Sequence, residues 1–182
     1  NDAPVANNQS VSTNEDTPKP ITLTATDIDG DTLTFSIVTG PTNGVLTGTG
    51  ANRTYTPNAN FNGNDSFTYR VSDGSLDSGL ATVRITVRSV NDVPSLQPAA
   101  AQTVAEGSTR IIQLVASDIE GSTLNWSVVI GGGGSGNASA VVDTNGQLTL
   151  TGLDGPAVVP VTVRVSDGTD TSERSFDLTV SN

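Results

Sequence analysis

Four short motifs occur twice in this chain, in the same order and at nearly the same separation. Asn1-Asp2-Ala3-Pro4 returns as Asn91-Asp92-Val93-Pro94, an offset of 91 − 1 = 90. Glu15 returns as Glu106, and 106 − 15 = 91. Ala25-Thr26-Asp27-Ile28-Asp29-Gly30 returns as Ala116-Ser117-Asp118-Ile119-Glu120-Gly121, again at 116 − 25 = 91. Arg70-Val71-Ser72-Asp73-Gly74 returns as Arg164-Val165-Ser166-Asp167-Gly168, at 164 − 70 = 94. Self-similarity at a fixed period marks repeated structural units. Two modules are therefore expected, residues 1–90 and 91–182, with the boundary near residue 90.

Within each module the apolar residues alternate with polar ones, which is the period of a half-buried strand. Ile21, Leu23 and Ala25 are separated by threonines, and Phe67/Tyr69/Val71 and Ala81/Val83/Ile85/Val87 follow the same rule. The second module offers Ile112/Leu114/Ala116, Leu124/Trp126/Val128, Val159/Val161/Val163/Val165 and Phe176/Leu178/Val180. Turn formers such as Asp29-Gly30-Asp31, Asn62-Gly63-Asn64 and Thr144-Asn145-Gly146 punctuate the runs. No comparable run has helical spacing. The expected fold is all-β: two tandem antiparallel Greek-key β-sandwiches of about seven strands each.

Composition narrows the chemistry. The chain has no Cys and no His, so disulfides, thiolate chemistry, imidazole bases and the usual zinc ligands are excluded. Its net charge of −11 would repel nucleic acid and anionic membranes, so neither is expected as a partner. No run is apolar for long enough to enter a bilayer as a helix. Oxygen-only metal chemistry survives, and that selects hard cations such as calcium.

The carboxylates are clustered. Asp27, Asp29 and Asp31 crowd one turn after a strand, and Asp73 ends another strand. Asp-x-Asp-Gly-Asp suits a plain turn and a calcium loop equally well. It is not an EF-hand: counting from Asp27, Thr32 stands where that loop needs Gly and Val38 where it needs Glu. The run Gly131-Gly132-Gly133-Gly134-Ser135-Gly136 lacks the Asp and the second copy of a calcium nonapeptide repeat, and reads as a loop.

Taken together, the Ala-Thr-Asp-Ile-Asp-Gly-Asp turn, the two Val-Ser-Asp-Gly strand ends and the inter-module Asn-Asp-Val-Pro resemble cadherin repeats. The closest form is the bacterial one, found in surface adhesins and secreted polysaccharide-degrading proteins. The resemblance implies calcium between successive modules. Carried onto this chain, it implies ligands from Glu15, with Asp16 a weaker candidate, from the linker residues Asn91 and Asp92, and from Asp118, Glu120 and Asp167. It also implies an outward-facing half-site in the first module, made of Asn1, Asp2, Asp27, Asp29, Asp31 and Asp73. Glu106 would serve a further module. The second module departs from the first in two places, with Glu120 for Asp29 and Ser122 for Asp31.

Three function classes follow. An enzyme is not expected, because His- and Cys-based nucleophile pairs are impossible and the clustered carboxylates already belong to repeated turns. Sugar binding would call for exposed aromatic platforms, and Tyr55 and Phe61 are the least committed of the seven aromatics. The preferred reading is a calcium-binding spacer or adhesion stalk in a larger extracellular protein, secreted or at the cell surface. Its partners would be neighbouring modules of its own chain, with a polysaccharide or cell-surface ligand as the alternative.

Overall fold

The computed structural model describes residues 1–132 and 136–182, and the chain divides into two compact units, Asn1–Val90 and Asn91–Asn182. The glycine-rich run read above as a loop lies partly outside the described residues. Neither unit contains an α-helix among the described residues, and no helix is long and apolar enough to cross a membrane.

The first module comprises β1 (Val5–Ala6), β2 (Gln9–Asn14), β3 (Lys19–Thr22), β4 (Ala25–Thr26), β5 (Thr34–Thr39), β6 (Gly44–Thr49), β7 (Asn52–Pro57), β8 (Gly63–Ser72) and β9 (Ala81–Arg88). These strands form a four-stranded sheet β2-β9-β8-β5, a three-stranded sheet β3-β7-β6 and a small β1-β4 pair. The nine segments are seven strands, of which the first two are each broken. The first strand pairs with the second as β1, then crosses at Asn7 and Asn8 to join the other sheet as β2. The second strand breaks at Leu23 and Thr24 between β3 and β4. Tyr69 binds the two breaks together: its buried hydroxyl lies 2.6 Å from the Asn7 carbonyl and 2.8 Å from that of Thr24. The sandwich is antiparallel except that β2 runs parallel to β9, from Gln9 opposite Val83 to Asn14 opposite Arg88.

The alternation explains the core. Along β8 and β9, Phe67, Tyr69, Val71, Ala81, Val83, Ile85 and Val87 point inward and are buried against Ile21, Leu23 and Tyr55. Each fully buried Val, Leu or Ile side chain contributes about 1.5–3 kcal/mol, and β-branched residues suit the pleat.

The second module repeats the plan with β10 (Ser95–Leu96), β11 (Gln102–Ala105), β12 (Thr109–Gln113), β13 (Ala116–Ser117), β14 (Asn125–Ile130), β15 (Ala138–Val142), β16 (Gln147–Gly152), β17 (Ala157–Ser166) and β18 (Thr171–Ser181). Its sheets are β11-β18-β17-β14, β12-β16-β15 and the pair β10-β13. Val159, Val161, Val163 and Val165 from β17 meet Phe176, Leu178 and Val180 from β18, with Leu148 and Leu150 opposite. Val163 stands where the first module has Tyr69, so the hydroxyl tie between strand breaks is particular to module one.

The fold corrects the notion of uncommitted aromatics. Tyr55 is wholly buried, and its hydroxyl donates to Asp65 Oδ2 at 2.9 Å. Phe61 packs against the same core. Tyr55 is drawn inward because the core supplies an acceptor for the one polar atom it carries.

Candidate metal site

Two antiparallel pairings decide which carboxylates meet. Because β1 pairs with β4, Val5 lies opposite Thr26, and the residues before β1 run beside those after β4. Asp2 therefore reaches the Asp27–Asp31 turn, and its backbone N–H donates to Asp29 Oδ2 at 2.7 Å. Strand β8 ends at the same pole, where Asn1 donates its side-chain N–H to Asp73 Oδ2 at 2.9 Å. Ligand atoms of Asp27, Asp29 and Asp31 lie within 4.8 Å of one another.

The turn is held by one carboxylate oxygen. Asp27 Oδ1 accepts from the N–H groups of Asp29 (3.0 Å), Gly30 (3.0 Å) and Asp31 (3.3 Å). Gly30 sits at φ +80°, the left-handed conformation that the tight reversal requires. Asp27 Oδ2, by contrast, is buried with no hydrogen-bond partner. Asp73 Oδ1 accepts from Ser75 and Leu76 at 2.6 and 2.7 Å. Those two N–H groups, Leu76 first, together with the Asn1 amide, hold its carboxyl below the usual range.

The second module builds the corresponding pole. Asn91 donates to Asp167 Oδ2 at 2.9 Å, and the Asp92 N–H donates to Glu120 Oε2 at 3.4 Å. Asp118 Oδ1 accepts from Ser122 N–H at 2.9 Å. Asp118 Oδ2 and Asp92 Oδ2 are both buried and lack partners. The Asp167 carboxyl is lowered by the Asn91 amide first, then by the Asp170 and Thr169 N–H groups. Asp170 was not among the residues picked out from the sequence. Its carboxylate accepts from the same Asn91 amide at 2.9 Å.

Of the remaining candidates, Glu15 is buried, and its Oε1 accepts from the Val90 N–H at 2.6 Å within the first module. Asp16 instead turns to Asn60, accepting its N–H at 3.1 Å. Glu106, the counterpart of Glu15, is exposed.

Such a pole suits a hard cation. Ion pairs among the described residues are limited to Arg70–Asp77 and Arg164–Glu173, so no Lys or Arg neutralises either cluster. A buried carboxylate oxygen without a donor is costly, and a bound cation removes the cost. Calcium takes six to eight oxygens from carboxylates, amide and backbone carbonyls, which is the donor set present at each pole. The residues thus fit the ion on the test of the orphaned oxygens.

Comparison with known proteins fixes the lineage. The bacterial Ig domain family matches residues 1–86 and, a second time, residues 91–180. The chain belongs to the bacterial Ig domain family. Its two Ig domains account for residues 1–86 and 91–180 between them. Chitinase A of Pseudoalteromonas piscicida is 29% identical over 159 residues, covering 86% of this chain and 19% of that protein. Integrin beta-like protein A of Dictyostelium discoideum is 31% identical over 155 residues, covering 72% of this chain and 8% of that protein. The Ig-domain pair therefore spans less than a fifth of either relative. Among solved structures, human protocadherin-24 EC1-2 matches over the full length of both chains, with a TM-score of 0.65 and 18% identity. Human mucin-like protocadherin EC1-2 covers 97% of each chain, with a TM-score of 0.57 and 18% identity. The two Ig domains are thus cadherin-like in fold.

Proposed function

We propose that this pair of Ig domains is a calcium-binding spacer in a larger extracellular protein, secreted or displayed at the cell surface. The observation that carries the reading is the set of buried, partnerless oxygens on Asp27, Asp92 and Asp118, each amid further carboxylates. The residues proposed to hold calcium are Asp2, Asp27, Asp29, Asp31 and Asp73 in the first domain and Asn91, Asp92, Asp118, Glu120 and Asp167 in the second. Glu15 is proposed as a further calcium-binding carboxylate; it is buried, at 4% exposure, and its Oε1 accepts from the Val90 N–H.

Sugar binding is the weaker reading. A concavity of about 620 Å³ on the four-stranded sheet of the first domain is lined by Ser10, Asn64, Ser66, Thr82, Arg84 and Thr86 among others, and no aromatic ring lines it. Tyr55, which would have served as a platform, is in the core.

Thermal unfolding in calcium and in chelator tests the proposal. A ligand that binds the folded chain alone adds about 2.7 kcal/mol at a hundredfold excess over its Kd. Magnesium should add less, because it demands a tighter octahedron and keeps its waters. Equal melting temperatures in calcium and in chelator would remove the calcium reading.

A further inference from the structure

We infer that Asp170 is a cation-binding carboxylate of the second domain and takes over there the place that Asp31 holds in the first. The inference rests on the calcium reading above and concerns which of this chain's own side chains serve that ion.

Besides Glu120 for Asp29, which keeps its carboxylate, the two poles differ at two further positions, and those differences offset each other. In the turn after β4, Asp31 donates its N–H to Asp27 Oδ1 at 3.3 Å; in the turn after β13, Ser122 makes the same bond to Asp118 Oδ1 at 2.9 Å. Ser122 therefore occupies the backbone place of Asp31 without its charge. In the turn after β8, Ser75 and Leu76 donate to Asp73 Oδ1 at 2.6 and 2.7 Å, and Ser72 Oγ donates to the Leu76 carbonyl at 3.1 Å. In the turn after β17, Thr169 and Asp170 donate to Asp167 Oδ1 at 2.6 and 2.7 Å, and Ser166 Oγ donates to the Asp170 carbonyl at 2.8 Å. Bond for bond these turns are the same, so Asp170 stands where the first domain has Leu76. The first pole then holds Asp2, Asp27, Asp29, Asp31 and Asp73, and the second holds Asp92, Asp118, Glu120, Asp167 and Asp170. The carboxylate lost from one turn is regained in the other.

The placement of the regained group is specific. Asn91 offers one side-chain amide nitrogen to Asp167 Oδ2 and Asp170 Oδ2, each at 2.9 Å, whereas Asn1 serves Asp73 alone. Two carboxylates held against one amide repel each other, and a shared cation relieves that repulsion. The partnerless buried oxygens of Asp92 and Asp118 belong to the same domain and independently call for positive charge. Leu76 is 42% exposed, so the position carries no packing demand that would explain its side chain.

The test is a titration of the isotopically labelled 182-residue chain with calcium chloride alone, followed by backbone amide NMR. Resonances of Ser122 and Thr169 read the second domain, and those of Asp31 and Ser75 read the first. Asp170→Leu installs the residue that the equivalent turn already accepts. It should weaken calcium at the second domain by about tenfold or more, since carboxylate number sets affinity in such sites, and leave the first unchanged. Asp170→Asn, which keeps the shape and gives up the charge, should do the same. Adding Ser122→Asp to Asp170→Leu should restore most of the affinity. Second-domain affinity within about twofold of the parent in both single variants, while Asp118→Ala abolishes it, overturns the role of Asp170 and leaves calcium binding standing. A loss that Ser122→Asp does not relieve overturns the exchange of places. No response to calcium in the parent chain at either set of resonances overturns the underlying reading instead.

Discussion

At position 65 the first module turns a carboxylate inward from a strand whose other inward residues are apolar, and the group is 8% exposed. Burial alone pushes its carboxyl up, but four donors reverse the shift. Thr42 and Ser66 N–H donate to Oδ1 at 3.0 and 2.8 Å, and Asn43 N–H and the Tyr55 hydroxyl donate to Oδ2, both at 2.9 Å. The net result is a lowered carboxyl and, mainly through burial, a raised Tyr55 hydroxyl. Removing the acceptor strands these donors, so Asp65→Ala should cost about 2–3 kcal/mol. That corresponds to a fall of roughly 10 °C or more in the melting temperature of the first module at pH 7. The pH dependence has a definite sign. A folded-state pKa below the unfolded value gives stability that is full above about pH 3.9 and lost as pH falls through the folded value. The gap between parent and variant should hold from pH 5 to 8 and shrink at lower pH, which thermal unfolding across that range would show. In the sequence this residue was only the end of an Asn- and Gly-rich stretch. Its inward direction follows from the alternation with Phe67, Tyr69 and Val71, but its donors on Thr42, Asn43 and Tyr55 come from other parts of the chain, which no local pattern reveals. Asp170 escaped notice for a related reason: the matching residue is Leu76, so the repeat itself hid it.

Among the elements, the strands themselves were legible because alternation is a local property: the inward residues of β8, β9, β17 and β18 are the ones the period picks out. The breaks in the first two strands were not, since they depend on which sheet each half joins. The turn at Gly146 shows how tightly one element constrains another. Gly146 lies at φ +77°, and a Cβ there would stand 2.8 Å from Trp126 Cζ2 and 3.3 Å from the Leu114 carbonyl oxygen. Gly146→Ala therefore meets both left-handed strain, about 1–2 kcal/mol, and a clash against an indole already packed on the core. The second module should lose roughly 5–10 °C of melting temperature. Trp126 is the single Trp, and both tyrosines, Tyr55 and Tyr69, lie in the first module. Tryptophan fluorescence will therefore follow the second module's transition, and tyrosine signals should be unmoved by the variant.

For the molecule as a whole, the proposed calcium role predicts a rise in melting temperature carried by each module on its own. Asp118→Ala should remove most of the rise in the second module, which tryptophan fluorescence follows, and leave that of the first, since a turn carboxylate lies outside the core. Asp31→Ala should weaken the rise in the first module and leave that of the second. Equal losses in both modules from either variant would assign the ions to the wrong residues. The parallel pairing of β2 with β9 carries a further, mechanical consequence. With the first long strand and the last running the same way, tension applied to the two ends of the module slides one strand along the other. All six pairs from Gln9–Val83 to Asn14–Arg88 then bear the load at once, where a hairpin pulled open from its end would surrender its bonds singly. The second module matches only four, from Gln102–Leu178 to Ala105–Ser181, so under tension it is the one that should shear first.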